Sequence, residues 1–385
     1  MTEQPAGPGL DFEYRTQRQR VLFGTGRAAE LLAAVLGGPG DVSERGGRGG
    51  PAARAQADVP GTPRVMVIAT RRELERSAAV LGGIRAELVF DDVVQHVPAE
   101  SAERAHRAAQ AAGIDVVVAL GGGSAIGLAK AVALRSDRPA GLSIVAVPTT
   151  YSGSEATAVW GLVEKGVKTT GFDPRVLPGT VIYDAALTGT LPRELSVSSA
   201  MNALAHGVDA LWAPGANPVS ALIAAEGIRM LARALPRIAA VSMAGREEAL
   251  YGAYLSASAF SSAGSGLHHN ICHVLGGAFG LPHAQTHAIV LPHVVALNAS
   301  GAPEAEARIA AALGSRSAAL GLLALRDSVH APTALRDFGF SESDIARAVA
   351  LILPTVPASN PRAVTPDDLT LLLRNAWAGT TPGVR

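Results

Sequence analysis

Between Arg64 and Leu120 the chain alternates continuously apolar runs with amphipathic helical periods. Val65-Met-Val-Ile-Ala69 is followed by a helix from Arg72 to Leu81, a strand at Ala86 to Phe90, a helix from Ala99 to Ala112, and the run Asp115-Val-Val-Val-Ala-Leu120. A strand that is apolar at nearly every position is buried on both faces, so helices must cover both sides of its sheet. That requirement selects a parallel sheet in an α/β domain. Arg20-Val-Leu-Phe23, the turn Gly24-Thr-Gly26 and a helix from Ala28 to Leu36 extend the pattern upstream. Ser143-Ile-Val-Ala-Val147 and Thr180-Val-Ile-Tyr183 extend it downstream. Beyond about Leu187 strand signals stop, and helical periods run through Ser196 to Trp212, Pro218 to Leu235, Arg246 to Ala263 and Glu304 to Leu313. The remainder continues in that style to Ala378, with a capping signal at Ser341-Glu-Ser-Asp344. The expected organisation is a dinucleotide-binding, Rossmann-like α/β domain over residues 1–187 and an all-helical catalytic domain over 188–385. Residues 38–60, rich in Gly, Pro and Arg without an apolar period, are expected to be a surface insertion.

Length and composition agree with two domains. A chain of 385 residues exceeds the roughly 250 to 300 at which a single core stops growing. With 33 Lys+Arg against 33 Asp+Glu there is no general electrostatic footprint for nucleic acid or an anionic membrane, so any anionic partner must be met by a local site. The single cysteine, Cys272, excludes an intrachain disulfide and a multi-cysteine metal site, and fits a reducing cytoplasm. No run of about 18 apolar residues and no amino-terminal export signal is present, which predicts a soluble cytoplasmic protein. One asymmetry stands out: six of the ten histidines fall between His268 and His293.

Two regions could carry chemistry. In the first, the strand ending at Leu120 runs through Gly121-Gly122-Gly123-Ser124 into a helix, which lets backbone N–H groups and the helix dipole approach a pyrophosphate. The spacing is not GxGxxG, and glycines in a tight turn also serve sterics alone, so both readings stand. A polar turn, Pro148-Thr149-Thr150-Tyr151-Ser152-Gly153-Ser154-Glu155, follows the next strand at the same carboxyl edge, where open α/β sheets bind ligands; helix capping is its alternative role. In the second region, Asn202 and His206, His269 and His273, and His283 and His287 are each four apart on helices and share faces. Convergent imidazoles suit a divalent metal or a proton-transfer site, against the alternative of hydrogen-bonded packing residues.

Taken together, Gly121-Gly-Gly-Ser124, Pro148-Thr-Thr150, the Asn202-to-His206 helix and the run from Leu267-His-His-Asn-Ile-Cys-His273 through Leu281-Pro-His283 to Leu291-Pro-His293 resemble the iron-containing alcohol dehydrogenase family, over nearly the whole chain outside 38–60. Gly127 in Gly-Gly-Gly-Ser-Ala-Ile-Gly-Leu-Ala-Lys130, Tyr151 to Glu155, Val159-Trp-Gly-Leu162, Gly166-Val-Lys-Thr-Thr-Gly171 and Asn360-Pro-Arg362 are closer to its maleylacetate reductase branch. The resemblance implies an NADH- or NADPH-dependent oxidoreductase that adds hydride to the double bond of maleylacetate, or of a related unsaturated keto-dicarboxylate, in aromatic catabolism. It also implies a homodimer. Cofactor contacts are expected from Gly121, Gly122, Gly123, Ser124, Thr149, Thr150, Ser152, Lys168 and Thr188. The family's metal pattern, an aspartate and three histidines, falls on Asn202, His206, His269 and His283. Loss of the anionic ligand at Asn202 weakens the case for a hard cation, so no metal is expected.

Without an ion, protein groups must stabilise the enolate that forms as hydride reaches the alkene carbon β to the ketone. His206, His269, His273 and His283, with Asn202 and Tyr151, are the expected catalytic group, acting as acids in place of the metal. After the strand at Val65, Thr70 is followed by Arg71 and Arg72 where NAD-preferring relatives often carry aspartate. Arg71 is therefore expected to accept the 2′-phosphate of NADP, with a solvated helix start as the alternative. Competing readings are a metal-dependent alcohol dehydrogenase or carbonyl reductase holding the ion on three histidines, a lyase resembling dehydroquinate synthase, and a non-catalytic descendant.

Overall fold

The structure is a computed structural model that describes residues 11–37, 63–138, 141–164 and 167–382, without the side chains of Val167 and Lys168. The expected insertion at 38–60 lies outside the described residues. Eight strands occur among them: β1 Arg20–Phe23, β2 Val65–Ile68, β3 Ala86–Phe90, β4 Val116–Gly121, β5 Ser143–Pro148, β6 Val159–Glu164, β7 Val167–Phe172 and β8 Thr180–Tyr183. Six form one parallel sheet in the order β1-β8-β5-β4-β2-β3, and β6 and β7 form a separate antiparallel hairpin. The helices of this part are α1 Ala28–Leu36, α2 Arg71–Arg76, α3 Ala78–Leu81, α4 Ala99–Ala111 and α5 Gly123–Leu134. The helices that follow are α6 Arg193–Ala210, α7 Pro218–Ala239, α8 Met243–Ala263, α9 Leu267–Phe279, α10 His283–Asn298, α11 Pro303–Ala312, α12 Ala318–Ser328, α13 Ile345–Ile352 and α14 Pro366–Ala378. No strand follows Tyr183 among the described residues, so the α/β fold with an all-helical second half is as the sequence indicates. Within the same residues no helix is long and apolar enough to cross a membrane.

The parallel sheet forms where the sequence is apolar on both faces. All four residues of β2 are buried, and Val117 to Leu120 of β4 are fully so. Each such side chain contributes roughly 1.5–3 kcal/mol when withdrawn from water. One face packs through Leu31, Leu32, Val67, Val118, Leu120 and Ile182 under α1, while the other joins Met66, Ile68, Val117 and Ala119 to the interior of α4, α5 and α6. The interior that begins beside the sheet thus continues into the helical half, where α6, α7 and α8 share it. A second cluster, built on Leu267, Ile271, Leu275, Ile289 and Leu373, holds α9, α10, α13 and α14 together.

Two details differ from expectation. The β6–β7 hairpin is not legible as apolar runs, because Val159 to Leu162 are only half-buried and the paired residues include Thr169, Thr170 and Gly171. Ser341 makes no side-chain cap; its hydroxyl pairs with that of Ser343 instead. Complete capping boxes occur at Asn217 with Ser220 and at Thr365 with Asp368, each followed by a helix-starting proline.

Candidate active site

β4 ends at the carboxyl edge of the sheet in Gly121, whose φ of +146° lies outside the range L side chains favour. Gly122 is the N-cap of α5 and carries no side-chain cap, which leaves the first turn of that helix to a ligand or solvent. A Cβ on Gly122 would stand 2.9 Å from Thr150 Cγ2, and one on Gly123 would stand 3.3 Å from Ser152 Cβ. The glycines therefore serve sterics as well: they let the Thr149–Ser152 loop close against the turn. Between them lies a cleft of about 550 Å³, bordered by Gly121 to Ala125, by Thr149 and Thr150, by Arg72, Glu73 and Arg76 of α2, and by Leu191 and Leu195 across the opening. An uncapped helix N-terminus behind a glycine turn at a sheet's carboxyl edge is the geometry that receives a pyrophosphate.

The same loop reaches the helical half. Gly153, at φ +73°, packs so closely on α6 that a Cβ would lie 3.2 Å from both Cε1 and Nδ1 of His206. His206 stacks on His269 with ring centroids 4.8 Å apart and tilts over Phe260 at 5.1 Å. From His269 the rings continue to His287 at 4.8 Å, from His287 to His283 at 4.3 Å, and from His283 to His273 at 6.2 Å. His268 joins the chain through a 2.9 Å hydrogen bond between its Nε2 and His287 Nδ1. The inner rings, His206, His268, His269 and His287, are buried, whereas His273 and His283 are half-buried and form the accessible end.

Burial decides the charge of the inner rings. Desolvation pushes His206 down to about 4 despite the opposing pull of Asp209, pushes His268 down to about 3, and holds His287 well below the usual range. At neutral pH these three are neutral imidazoles, donors of one hydrogen bond each.

His269 has a carboxylate behind it. Asp209, fully buried one turn after His206 on α6, accepts from His269 Nδ1 at 2.7 Å and from the backbone N–H groups of His269 at 3.1 Å and Gly266 at 3.2 Å. Its other oxygen accepts from Trp212 Nε1 at 3.0 Å. A Cβ on Gly266 would stand 2.5 Å from Asp209 Oδ1, so this glycine is what lets the carboxylate sit there. The bond fixes the tautomer and tilt of His269, as a carboxylate does behind a catalytic or metal-bound imidazole. Asp209 was missed in the sequence, although its i+3 spacing from His206 places it on the same helix face.

Among the described residues the imidazoles with ligand atoms within 4.8 Å of one another are His268, His269 and His287, and only His269 belongs to the family pattern. Two of these three already hydrogen-bond each other. At Asn202 a neutral amide stands in place of the anionic ligand, and its Oδ1 is buried without a hydrogen-bond partner. With Asn202 the set lacks the anionic ligand of the family pattern, which weakens its hold on a hard cation.

Other expected residues fall in different places. Arg71 points away from the cleft toward Asp91, at 3.4 Å, and the cations that line the cleft are Arg72 and Arg76. Tyr151 is fully buried, with its hydroxyl 3.4 Å from Thr188 Oγ1 and burial raising its pKa. Thr188 is equally buried and bonded to Arg246, so both lie in the interior behind the loop and not on the cleft. Lys168 lies on β7 opposite Val163. Of the six clustered histidines, His293 stands apart: ten residues along α10 from His283, about 15 Å at the helical rise, it is buried near Arg326. A buried network also went unnoticed: Lys130 of α5 donates to the carbonyls of Thr157 and Val159 at 2.8 Å, and Tyr183 donates to Glu155 at 2.9 Å.

A parallel sheet with a glycine turn at its carboxyl edge, joined by one loop to an imidazole chain in a helical second half, is an arrangement suited to a nicotinamide-dinucleotide oxidoreductase. The chain belongs to the iron-containing alcohol dehydrogenase family. The family model described as "Iron-containing alcohol dehydrogenase" matches residues 51–185, and that described as "Fe-containing alcohol dehydrogenase family, C-terminal" matches residues 196–377. It is similar to maleylacetate reductase from Burkholderia cepacia, 40% identical over 376 residues that cover 96% of this chain and 99% of that protein. A maleylacetate reductase from Pseudomonas knackmussii is 45% identical over 84% of this chain and 91% of its own. Among solved structures, an iron-containing alcohol dehydrogenase from Corynebacterium glutamicum superposes with a TM-score of 0.86 at 52% identity, covering 96% of this chain and 98% of that one. Maleylacetate reductase from Agrobacterium tumefaciens gives 0.84 at 36% identity, covering 97% and 99%.

Proposed function

We propose that this protein reduces the carbon–carbon double bond of maleylacetate, or of a substituted or related unsaturated keto-dicarboxylate, to the 3-oxoadipate skeleton with NADH or NADPH, as a cytoplasmic homodimer in aromatic catabolism. The observation that carries the proposal is the Thr149–Ser154 loop. It lies against the glycine turn at Thr150 and Ser152 and against His206 at Gly153, so a nicotinamide reaching out of the cleft arrives beside the histidine chain. The names of the relatives at 40–45% identity supply the substrate.

Hydride leaves the nicotinamide for the alkene carbon β to the ketone, and the electron pair moves onto the ketone oxygen. His206, held neutral by burial, offers that oxygen a hydrogen bond without adding charge, and His269, in its protonated form paired with Asp209, donates from Nε2 and balances the negative charge of the enolate. The half-buried His273 and His283 supply the proton that converts the enolate to the ketone at the carbon α to it. Asn202 lies one turn before His206 on α6. Ser124 and Thr149 complete the pyrophosphate cradle, and Arg72 and Arg76 meet the 2′-phosphate of NADPH.

Oxidation of NADH and of NADPH is to be followed with maleylacetate as substrate, with and without exhaustive chelation. The proposal expects turnover with both nucleotides that chelation leaves unchanged. A loss that iron or zinc restores overturns the metal-independent mechanism. Activity confined to simple aldehydes overturns the substrate assignment.

A further inference from the structure

Thr70-Arg71-Arg72-Glu73 has the pattern in which an N-cap hydroxyl and a glutamate three residues later satisfy each other's backbone donors. Half of that exchange is made: Glu73 N donates to Thr70 Oγ1 at 3.2 Å. The reciprocal bond, present at Asn217 and at Thr365, is not made by Glu73 among the described residues. The half-buried side chain lines the cleft instead, where its Cγ lies 4.0 Å from where a Cβ would stand on Gly121. A helix cap therefore does not account for this side chain.

We propose that Glu73 opposes dinucleotide binding: its carboxylate stands beside the glycine turn that receives the pyrophosphate, so the cofactor binds with Glu73 in its neutral, protonated form. This inference rests on the cleft being the NAD(P)H site. The other charged side chains lining the cleft, among the described residues, are Arg72 and Arg76 from the same helix. The glycine turn, Thr149 and Thr150, and the facing wall of Thr190, Leu191, Pro192 and Leu195 contribute backbone, hydroxyls and carbon, and no countercharge. Desolvation already raises the Glu73 carboxyl above the usual range, with Arg76 and Arg72 opposing. Like charges about 5 Å apart at an effective dielectric of about 20 weaken association on the order of a hundredfold, enough to draw a proton from solvent onto the carboxylate as the cofactor docks. The carboxyl pKa is then higher in the complex than in the free protein, so affinity is greatest at low pH and falls as pH rises between the two values.

The test is calorimetric titration of the full chain with NADH near neutral pH, in two buffers of different ionisation enthalpy, for wild type and Glu73→Gln, with the thermal midpoint of each recorded. Wild type is expected to take up a fraction of a proton approaching one for each NADH bound, and to lose affinity as pH rises. E73Q is expected to bind NADH at least about tenfold more tightly, with no uptake and no pH trend from this group. Wild type binding NADH without proton uptake overturns the proposal, as does an E73Q of unchanged midpoint that binds NADH more weakly, which makes the carboxylate an acceptor for a ribose hydroxyl. Failure of wild type to bind either NADH or NADPH overturns the cofactor reading itself, and this inference with it.

Discussion

Replacing Asp209 by asparagine tests whether His269 depends on the carboxylate behind it. Asp209 Oδ2 accepts three hydrogen bonds, from His269 Nδ1, His269 N and Gly266 N, and Oδ1 accepts one from Trp212 Nε1. An asparagine that keeps its oxygen in the Oδ2 position turns its NH2 toward the indole N–H, donor against donor. The lost bond and the unsatisfied buried donors cost about 2–3 kcal/mol of stability. Exchanging the anionic acceptor of His269 for a neutral one removes a further 1.5–3 kcal/mol, roughly, from any state in which that ring carries positive charge, or roughly ten- to hundredfold in turnover. The side chain lies behind the imidazole and not on the cleft, so the KM for NADH should not move. The assay is steady-state reduction of maleylacetate read by NADH absorbance, beside urea unfolding of both proteins. An Asp209→Asn enzyme that loses stability as expected but keeps kcat within about twofold of wild type refutes the positioning role. A kcat loss matched by a rise in the KM for NADH refutes it as well, because the perturbation then reaches the cofactor cleft.

Three further predictions address other parts of the site. Gly122→Ala places a methyl 2.9 Å from Thr150 Cγ2, an overpacking of about 1–3 kcal/mol that should raise the KM for NAD(P)H roughly tenfold with a smaller effect on kcat, as measured by cofactor titration at saturating substrate. Arg72→Ala should lower kcat/KM for NADPH relative to NADH, and Arg71→Ala should leave that ratio near wild type, because Arg72 lines the cleft and Arg71 does not; equal effects would reject the assignment. Lys130 is fully buried, which pushes its amine from the ordinary 10.5 down to about 7. Between those values the unfolded chain binds a proton that the folded one has released, so this group makes stability rise with pH above about 7 and adds no slope below it. Urea midpoints of wild type and Lys130→Met across that range should diverge with wild type gaining, and parallel curves would show that the ammonium keeps its proton on the Thr157 and Val159 carbonyls.

Where a residue's surroundings are local, the sequence is enough to read it. Continuous apolar runs identified β2, β4, β5 and β8, and the helical period from Pro218 to Leu235 identified α7. The glycine turn could be placed at the edge of a sheet because strand and helix flank it directly in the chain. The i+4 pairs of histidines were legible for the same reason, since a helix fixes which of its residues share a face. The β6–β7 hairpin was not, because neither strand is buried on both faces and its pairing depends on contacts with Pro98 and with α5.

Charge and role in the candidate site belong to the tertiary structure. Lys130, Glu155, Asp209 and Arg246 carry ionisable side chains, yet all four are buried, each against partners from 27 to 60 residues away. Arg71 and Arg72 are adjacent in sequence, but successive positions on a helix point about 100° apart, and only the packing of α2 against the glycine turn decides which one faces the cleft. The histidines show the division most fully. Their number and spacing are properties of the sequence, as is the loss of the family's aspartate at Asn202. Which rings are stripped of water and held neutral, which stay half-buried, and which one rests on a carboxylate all depend on how α6, α9 and α10 pack, because desolvation and hydrogen bonding act through space and not along the chain.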